Sequence, residues 1–285
     1  MDRATIIGLV LGGLALMGGH FLEGGSLGMI LQLTALVIVF GGTIGAVCLS
    51  FSSSQLRQAL KELPHVFREP KDEAPAQLVH IFELAYRARR EGLLALEEDL
   101  EKLPDPFLRR GLQLVIDGFP PHQVREVLEM ELDQQGEAGL TPARVFEAAG
   151  GYAPTIGILG AVLGLIQVMQ HLTEPTKLGT GVAVAFVATI YGVASANLVF
   201  LPIAHKLRLR HRQRQHLKEM VMEGILALAE GDHPRLIMDK LQGFLADSSL
   251  AKKTPLPSPK VRILTPRKKP PAEDESYASP STSSQ

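Results

Sequence analysis

Residues 154–207 read PTIGILGAVLGLIQVMQHLTEPTKLGTGVAVAFVATIYGVASANLVFLPIAHKL, and this stretch decides the fold. It holds two apolar runs of membrane-spanning length, which are joined by a short polar connector. A proline stands near one end of each run, and neither run carries a carboxylate in its body. Small residues recur down both runs. The pattern predicts two closely packed helices that line a polar path.

Two further apolar runs precede this stretch. A helix of about 20 residues crosses the hydrocarbon core of a bilayer. Four runs reach that length, at about Thr5–Leu22, Leu27–Leu49, Ala153–Leu172 and Gly179–Ala204. The first run has a signal peptide as its rival interpretation, because it follows Arg3 and ends in glycines. A second apolar run follows within a few residues, which favours a helical hairpin instead.

The distribution of lysine and arginine predicts the orientation. The connector at 23–26 has neither residue, and the connector at 173–178 has only Lys177. In contrast, KLRLRHRQR at 206–214 directly follows the fourth run, and the loop at 52–150 is rich in arginine. Positive charge accumulates on the cytoplasmic side of a membrane. Both termini and the long loop are therefore expected in the cytoplasm.

The sequence predicts an all-α membrane protein with four transmembrane helices in two hairpins. Its expected parts are a first hairpin (1–50), a large helical cytoplasmic loop (51–150), a second hairpin (151–205), a basic cytoplasmic helical segment (206–247) and a disordered tail (248–285) rich in proline, serine and lysine. Apolar periodicity predicts soluble helices at Pro75–Gly92, Leu93–Leu103, Phe107–Asp117, Pro121–Gln135, Lys206–Ala229 and Pro234–Leu245.

The groups that the chain lacks narrow its function. The net charge of −1 gives no sign of nucleic-acid binding. No nucleophile–base pair, phosphate-binding loop or metal-spaced cluster is visible in the sequence, which argues against an enzyme and against a cofactor. Within the spans, His20 and His171 are the only side chains of the acidic, basic or histidine type, and both lie near the outer ends. An ion path needs an ionisable group at depth. If protons cross here, a partner helix must supply that group.

Three residues of the opening stretch are candidates for the site. Thr189 interrupts a small-residue face, where its hydroxyl could serve a partner helix or an ion's water, or simply bond the carbonyl of Ala185. Pro154 is explained equally well by the first turn of a helix, where proline is tolerated. Pro202 stands where the fourth span should continue into the basic helix, so it favours a kink. As a pair, the two prolines would suit a moving gate.

Three segments carry a resemblance to a known family: GGYAPTIGILGAVLGLIQVM (150–169), FVATIYGVASANLVFLPIAHKL (186–207) and RARREGLLALEEDLEKL (87–103). They resemble the MotA/PomA family of flagellar stator proteins, within the wider group that includes TolQ and ExbB. Two hairpins fit MotA, whereas TolQ and ExbB have three spans. The resemblance implies an inner-membrane stator subunit that converts ion flow into torque for swimming. The alternatives are a TolQ/ExbB-like energy-transducing channel for envelope transport or gliding, and a membrane scaffold without ion flux.

The resemblance also implies partners and residue roles. The chain should form a homo-oligomeric ring, expected to be a pentamer, around a dimer of a MotB-like single-span subunit. That subunit binds peptidoglycan and supplies the ion-carrying aspartate, and the ring pushes the rotor protein FliG. Matched by position, the family's functional prolines are Pro154 and Pro202, and its channel-facing threonine is Thr189. The residues that match its charged rotor-contacting surface are Arg89, Arg90, Glu97 and Glu98.

The choice of ion depends on Ala161. Sodium-type relatives tend to have threonine at this position, and proton-type MotA tends to have a small apolar residue. Because alanine removes an oxygen ligand for a hard cation, the resemblance favours H⁺ over Na⁺ as the transported ion. One departure stands out: relatives often have an acidic residue where this chain has Gly151. Glu147, one turn earlier, is a candidate substitute.

Overall fold

The computed structural model describes residues 3–68, 73–170 and 175–246, and every regular element in these ranges is helical. In chain order the helices are α1 (Arg3–Leu22), α2 (Leu27–Ile30), α3 (Leu33–Leu36), α4 (Gly42–Ser50), α5 (Ser53–Val66), α6 (Ala74–Glu91), α7 (Glu97–Leu100), α8 (Pro106–Ile116), α9 (Pro121–Gly139), α10 (Thr141–Gln170), α11 (Pro175–Ser195), α12 (Leu201–Ala229) and α13 (Pro234–Ala246). The predicted disordered tail and His171 lie outside the described residues.

Four helical stretches of the described chain are long and apolar enough to cross a membrane, which confirms the predicted number of spans. Among them, α10 and α11 pack most closely, and the α3–α4 segment lies against both. By contrast, α1 is peripheral: it packs where Gly12 meets Leu198, and the rest of its apolar surface is open. Such open faces suit lipid or neighbouring chains.

The second span is not the single run Leu27–Leu49 that the sequence predicted. Helix α2 ends at Ile30, Leu31 and Gln32 adopt extended backbone angles, and α3 begins at Leu33. A π-helical turn at Val37–Gly41 then leads into α4. The prediction was wrong because uniform hydropathy conceals a break in the backbone. The groups that this break exposes are satisfied from a distant helix, as described below.

The third span also differs from its predicted limits. Helix α10 begins at Thr141 rather than at Ala153, so the division at 150/151 falls inside one continuous helix. Likewise, α12 runs through the division at 205/206, as the expected continuation into a basic helix predicted. Each of these two long helices therefore runs without interruption from the membrane-spanning region into the part of the protein outside it. A rigid helix can transmit a tilt along its length, which a flexible linker cannot.

The helices outside the membrane-spanning stretches surround the distal half of α12. Their shared core is apolar and buried, and its largest members include Leu78, Ile81, Phe107, Leu112, Leu128, Met220, Ile225 and Leu241. Helices α6, α8, α9 and α13 arise close to the predicted positions. Helix α5 was not predicted. It begins with a capping box in which Ser52 and Gln55 satisfy each other's backbone N–H groups.

The predicted helix Leu93–Leu103 is largely replaced by a turn. Gly92 adopts a φ of 86°, a left-handed value that favours glycine, and it ends α6. A 3₁₀ turn at Leu93–Leu96 follows, and then the short helix α7. The sharp turn presents the end of α6 and the start of α7 side by side. The charged segment is thus a corner rather than a continuous helix.

A pH-sensitive contact joins α9 to α12. Burial, with smaller contributions from Arg214 and Lys218, lowers the pKa of His211 below its ordinary value of 6.5. The unfolded chain therefore takes up the proton first as the pH falls. The stability that neutral His211 contributes is complete above about pH 6.5 and is lost as the pH falls through the folded pKa. We expect the apparent melting temperature of the purified protein to fall between pH 7.5 and pH 5.5.

The variant His211→Asn should show a smaller difference in melting temperature between these two pH values, because its side chain cannot titrate. His122→Asn is the matched control, since His122 is exposed on α9. An undiminished pH difference in His211→Asn would contradict the assignment.

Candidate functional site

At the contact between α10 and α11, the two helix backbones approach each other closely, because the residues between them are small. On α10 the small residues are Gly157, Gly160 and Gly164, and they face Gly181, Ala185, Ala188 and Gly192 of α11. A Cβ added at Gly157 would lie 2.8 Å from the carbonyl oxygen of Ala188, and one added at Gly192 would lie 2.5 Å from that of Ala153. Neither backbone can give way locally. The small residues are therefore required for the close approach of the two helices.

Ala161 and Thr189 lie at the same level of this helix pair. Each directly follows one member of a contacting pair, because a Cβ at Gly160 would lie 3.0 Å from the Cβ of Ala188. Both residues are partly exposed. The Thr189 hydroxyl donates a hydrogen bond to the carbonyl of Ala185 at 3.2 Å, as the simpler interpretation predicted. The lone pairs of its oxygen can still accept a hydrogen bond from a water or from a group on a partner helix.

The two prolines occupy different helical contexts. Pro154 lies well inside α10, so the first-turn explanation of this residue was wrong. It has no N–H, so it cannot donate the α-helical hydrogen bond to the carbonyl of Gly150. Pro202 lies at the start of α12, directly after a π-helical turn at Ala196–Phe200, where irregular backbone fits the predicted kink.

These irregular points are close to one another. The backbone nitrogen of Leu201, next to Pro202, lies 3.6 Å from the position of a Cβ on Gly150. Gly150 is four residues before Pro154, which is about one helical turn. Side chains support the backbone here: the buried hydroxyl of Ser195 donates to the carbonyl of Gly192 at 3.2 Å, and Asn197 donates to that of Val193 at 2.9 Å.

The structure gives Glu147 a partner of its own. The carboxylate of Glu147 on α10 accepts a hydrogen bond from the guanidinium of Arg208 on α12. Gly151 is exposed, and a Cβ there would meet no other atom within 4 Å. Glu147 is thus a charged tie between the cytoplasmic parts of α10 and α12, and a role in place of an acid at 151 stays a prediction.

The four predicted rotor-contacting residues meet at the corner described above. Arg89 and Arg90 lie in the last turn of α6, and Glu97 and Glu98 in the first turn of α7. All four are exposed. The guanidinium of Arg90 lies 5.9 Å from the centre of the Tyr86 ring, which fixes its direction. Opposite charges are therefore presented close together on one surface.

Arg87 organises this surface, and the sequence analysis did not single it out. Its guanidinium donates to Glu91 at 3.0 Å and to Asp99, and it lies 3.7 Å from Glu98. The hydrogen bond to Glu91, with further support from Asp99, raises the pKa of Arg87 above its ordinary value. Its spacing from Glu91, four residues along one helix, was the available signal. Through these contacts Arg87 links the end of α6 to the start of α7.

A second missed residue is Tyr191, two residues after Thr189. Its hydroxyl donates to the carbonyl of Ile30 at 2.7 Å and accepts from the backbone N–H of Gln32 at 3.4 Å. It thus satisfies one group on each side of the break between α2 and α3. No signal in the sequence pairs Tyr191 with residues so far away in the chain.

Two family models match the chain, one after the other. The model described as Motility protein A N-terminal matches residues 6–92, and the one described as the MotA/TolQ/ExbB proton channel family matches residues 99–220. Motility protein A of Bacillus subtilis is 36% identical over 246 residues, which cover 86% of this chain and 91% of that protein. Chemotaxis protein PomA of Vibrio alginolyticus is 35% identical over 88% of this chain and 98% of that protein.

Two solved structures have a similar fold. A chain of the C. jejuni MotAB structure superposes with a TM-score of 0.82 at 30% identity, over 91% of this chain and all of that chain. A chain of the flagellar MotAB stator complex from Bacillus subtilis gives a TM-score of 0.78 at 35% identity, over 86% of this chain and 96% of that chain. The likeness therefore extends over both the membrane and the cytoplasmic layers.

Proposed function

The chain belongs to the motility protein A branch of the MotA/TolQ/ExbB proton channel family, as a MotA-like stator subunit of the flagellar motor, and we propose that protons drive it. It is a multi-pass protein of the inner membrane, and its family is one of channel components rather than of enzymes. Its similarity to motility proteins and to MotAB complexes favours this function over envelope transport.

One observation carries the proposal: the membrane-spanning parts of the path-lining helices hold no carboxylate. Residues 148–170 of α10 and 178–204, from α11 into the start of α12, contain no aspartate, glutamate, lysine or arginine. The polar side chains in this part of the chain are uncharged: Thr189, Tyr191, Ser195 and Asn197 each donate a hydrogen bond to a backbone carbonyl, beside the π-helical turn at Ala196–Phe200. Ion passage through the membrane therefore requires an ionisable group from another protein chain. In our proposal a MotB-like single-span partner supplies the aspartate and anchors the complex to peptidoglycan.

The ion is assigned from Ala161. A sodium ion needs several oxygen ligands in place of its water, and alanine offers only a methyl group at this level of the path. A proton needs no such set of oxygen ligands, because a single carboxylate on the partner helix can bind it and release it further along the path. The Thr189 hydroxyl, whose proton is donated to Ala185, is oriented to accept from a protonated partner.

Swimming of cells that depend on this chain is expected to continue across sodium concentrations and to stop with a protonophore. The variant Ala161→Thr supplies the missing hydroxyl and tests whether this position influences ion choice. Co-purification with a MotB-like subunit first establishes that the assembled complex is being measured. Strict sodium dependence that tolerates the protonophore would overturn the assignment of the proton.

The remaining parts of the proposal concern assembly and torque. We place both termini and the loop at 51–150 in the cytoplasm, on the lysine and arginine distribution. The exposed apolar faces of α1 and of the second span suit neighbours in a homo-oligomeric ring, a pentamer in our proposal, around a MotB-like dimer. The corner of Arg89, Arg90, Glu97 and Glu98 is proposed to contact FliG, with no enzymatic chemistry and no nucleic acid.

A further inference from the structure

The break in the second span leaves backbone groups without helical partners directly before the apolar stretch Leu33–Ser50. Leu31 and Gln32 are extended, so the carbonyl of Ile30 and the N–H of Gln32 have no helical partner. In a membrane such groups must be satisfied by the protein itself. The Tyr191 hydroxyl satisfies both, at 2.7 Å and 3.4 Å. A single side chain of α11 therefore fastens the two halves of an interrupted helix.

The ring of Tyr191 is held separately from its hydroxyl. It packs against a buried cluster of Ala35, Val39, Val187 and Ala188, and its centre lies 6.3 Å from that of Phe40. A phenylalanine could keep this packing and lose only the hydrogen bonds. The break carries one more polar atom, because Oε1 of Gln32 is buried and has no hydrogen-bond partner in the described part of the chain. The Tyr191 hydroxyl thus forms its hydrogen bonds in the part of the second span where backbone and side-chain polar groups lack other partners.

The contact between α10 and α11 limits the rotation of α11, because only its glycine and alanine face allows the close approach of the two backbones. Val168 of α10, which lies over Gly181, is the larger side chain in this contact, and the hydrogen bonds of Tyr191 hold α11 on a different side. Thr189 and Tyr191 are two residues apart, which turns them about 160° away from one another. When Tyr191 points to the second span, Thr189 must point away from it. The hydrogen bonds of Tyr191 are therefore suited to set the direction of Thr189.

We propose that Tyr191 is the positioning residue of the path: its hydroxyl, hydrogen-bonded to the break at Ile30–Gln32, completes the fixing of the rotation of α11 that the small-residue contact begins, and with it the face that Thr189 presents. The relevance of that face to ion passage rests on the proposed function. The rotation itself does not, because it follows from the contacts of these helices alone. Movement of the second span would turn α11 through the same contact.

The direct measurement is the reactivity of a thiol at position 189. In the full complex in membranes, Thr189→Cys is introduced into a Cys48→Ala chain and alkylated with a small methanethiosulfonate. Adding Tyr191→Phe is expected to change the alkylation rate about fivefold, the factor that corresponds to one lost hydrogen bond. Tyr152→Phe is the matched control. It also removes a hydroxyl that contacts the second span, at 2.9 Å from Ser50, but in an unbroken helix.

An unchanged rate in Tyr191→Phe overturns the proposal, even if swimming is reduced, because Tyr191 would then act through stability alone. An equal change in Tyr152→Phe also overturns it, since any lost contact would suffice. Absence of proton flux in the unmodified complex would count against the proposed function, while the alkylation rates still decide the role of Tyr191.

Discussion

Replacing Gly192 by alanine and then by valine is expected to reduce and then abolish swimming. The added Cβ would lie 2.5 Å from the carbonyl oxygen of Ala153 and 3.1 Å from the Cα of Gly157, both of them backbone atoms of α10. Because no side chain can move aside, α10 and α11 must separate. Overpacking of this kind costs about 1–3 kcal/mol, and a larger side chain raises the cost. The separation also displaces the level at which Ala161 and Thr189 lie.

Swimming speed, yield of the complex with its partner and apparent melting temperature together measure this effect. Gly45→Ala is the matched control, because Gly45 lies in α4 of the second span and a Cβ there meets nothing within 4 Å. That control also corrects for the higher helix propensity of alanine. Wild-type swimming in Gly192→Val would show that the two helices do not depend on their close approach.

Reversing the charges at Arg90 and Glu98 is expected to stop swimming while the complex still assembles in the membrane. Both side chains are exposed at the corner between α6 and α7, away from the buried core. At a contact with a charged rotor surface, reversal replaces attraction by repulsion, which costs several kcal/mol. Glu98→Lys removes the 3.7 Å contact of Glu98 with Arg87, but Arg87 keeps its bonds to Glu91 and Asp99, so the corner itself should persist.

We expect each single reversal, Arg90→Glu or Glu98→Lys, to slow swimming, and the double variant to stop it. Glu83→Lys reverses an exposed charge on the same helix two turns before Arg90 and should leave motility intact. Co-purification with the MotB-like partner distinguishes lost torque from lost assembly. Normal motility in the double variant would argue against a rotor contact at this corner.

Much of the helical framework could be predicted because its causes are local. The basic helix after Pro202 and the helices at Ala74–Glu91 and Pro234–Ala246 appear close to the expected limits, since apolar periodicity and prolines at helix starts act within a few residues. The predicted helix limits were wrong where one helix extends from the membrane-spanning region into water. Helix α10 begins in the cytoplasmic layer, where its apolar signal is weak, so only its membrane part was visible.

The candidate site was predicted as residues but not as an arrangement. The glycine and alanine faces predicted a close helix pair, and the structure aligns Gly160 with Ala188 and thereby Ala161 with Thr189. Arg87, Arg208 and Tyr191 were missed because their partners lie on other turns or other helices. The roles of Pro154, Pro202 and the charged corner stay predictions until the variants are measured.

The sequence by itself determined that this chain spans the membrane four times, that the membrane-spanning parts of its path-lining helices hold no carboxylate and that it belongs with the motility proteins. Each polar residue placed in lipid is unfavourable by itself, so hydropathy and the positions of charged residues identify the membrane spans directly. Only the tertiary structure decided that the second span is broken, because the group that satisfies the break lies 159 positions away from Gln32, on Tyr191. A backbone hydrogen bond to a distant hydroxyl has no local signature, and its partner is known only once the helices are packed.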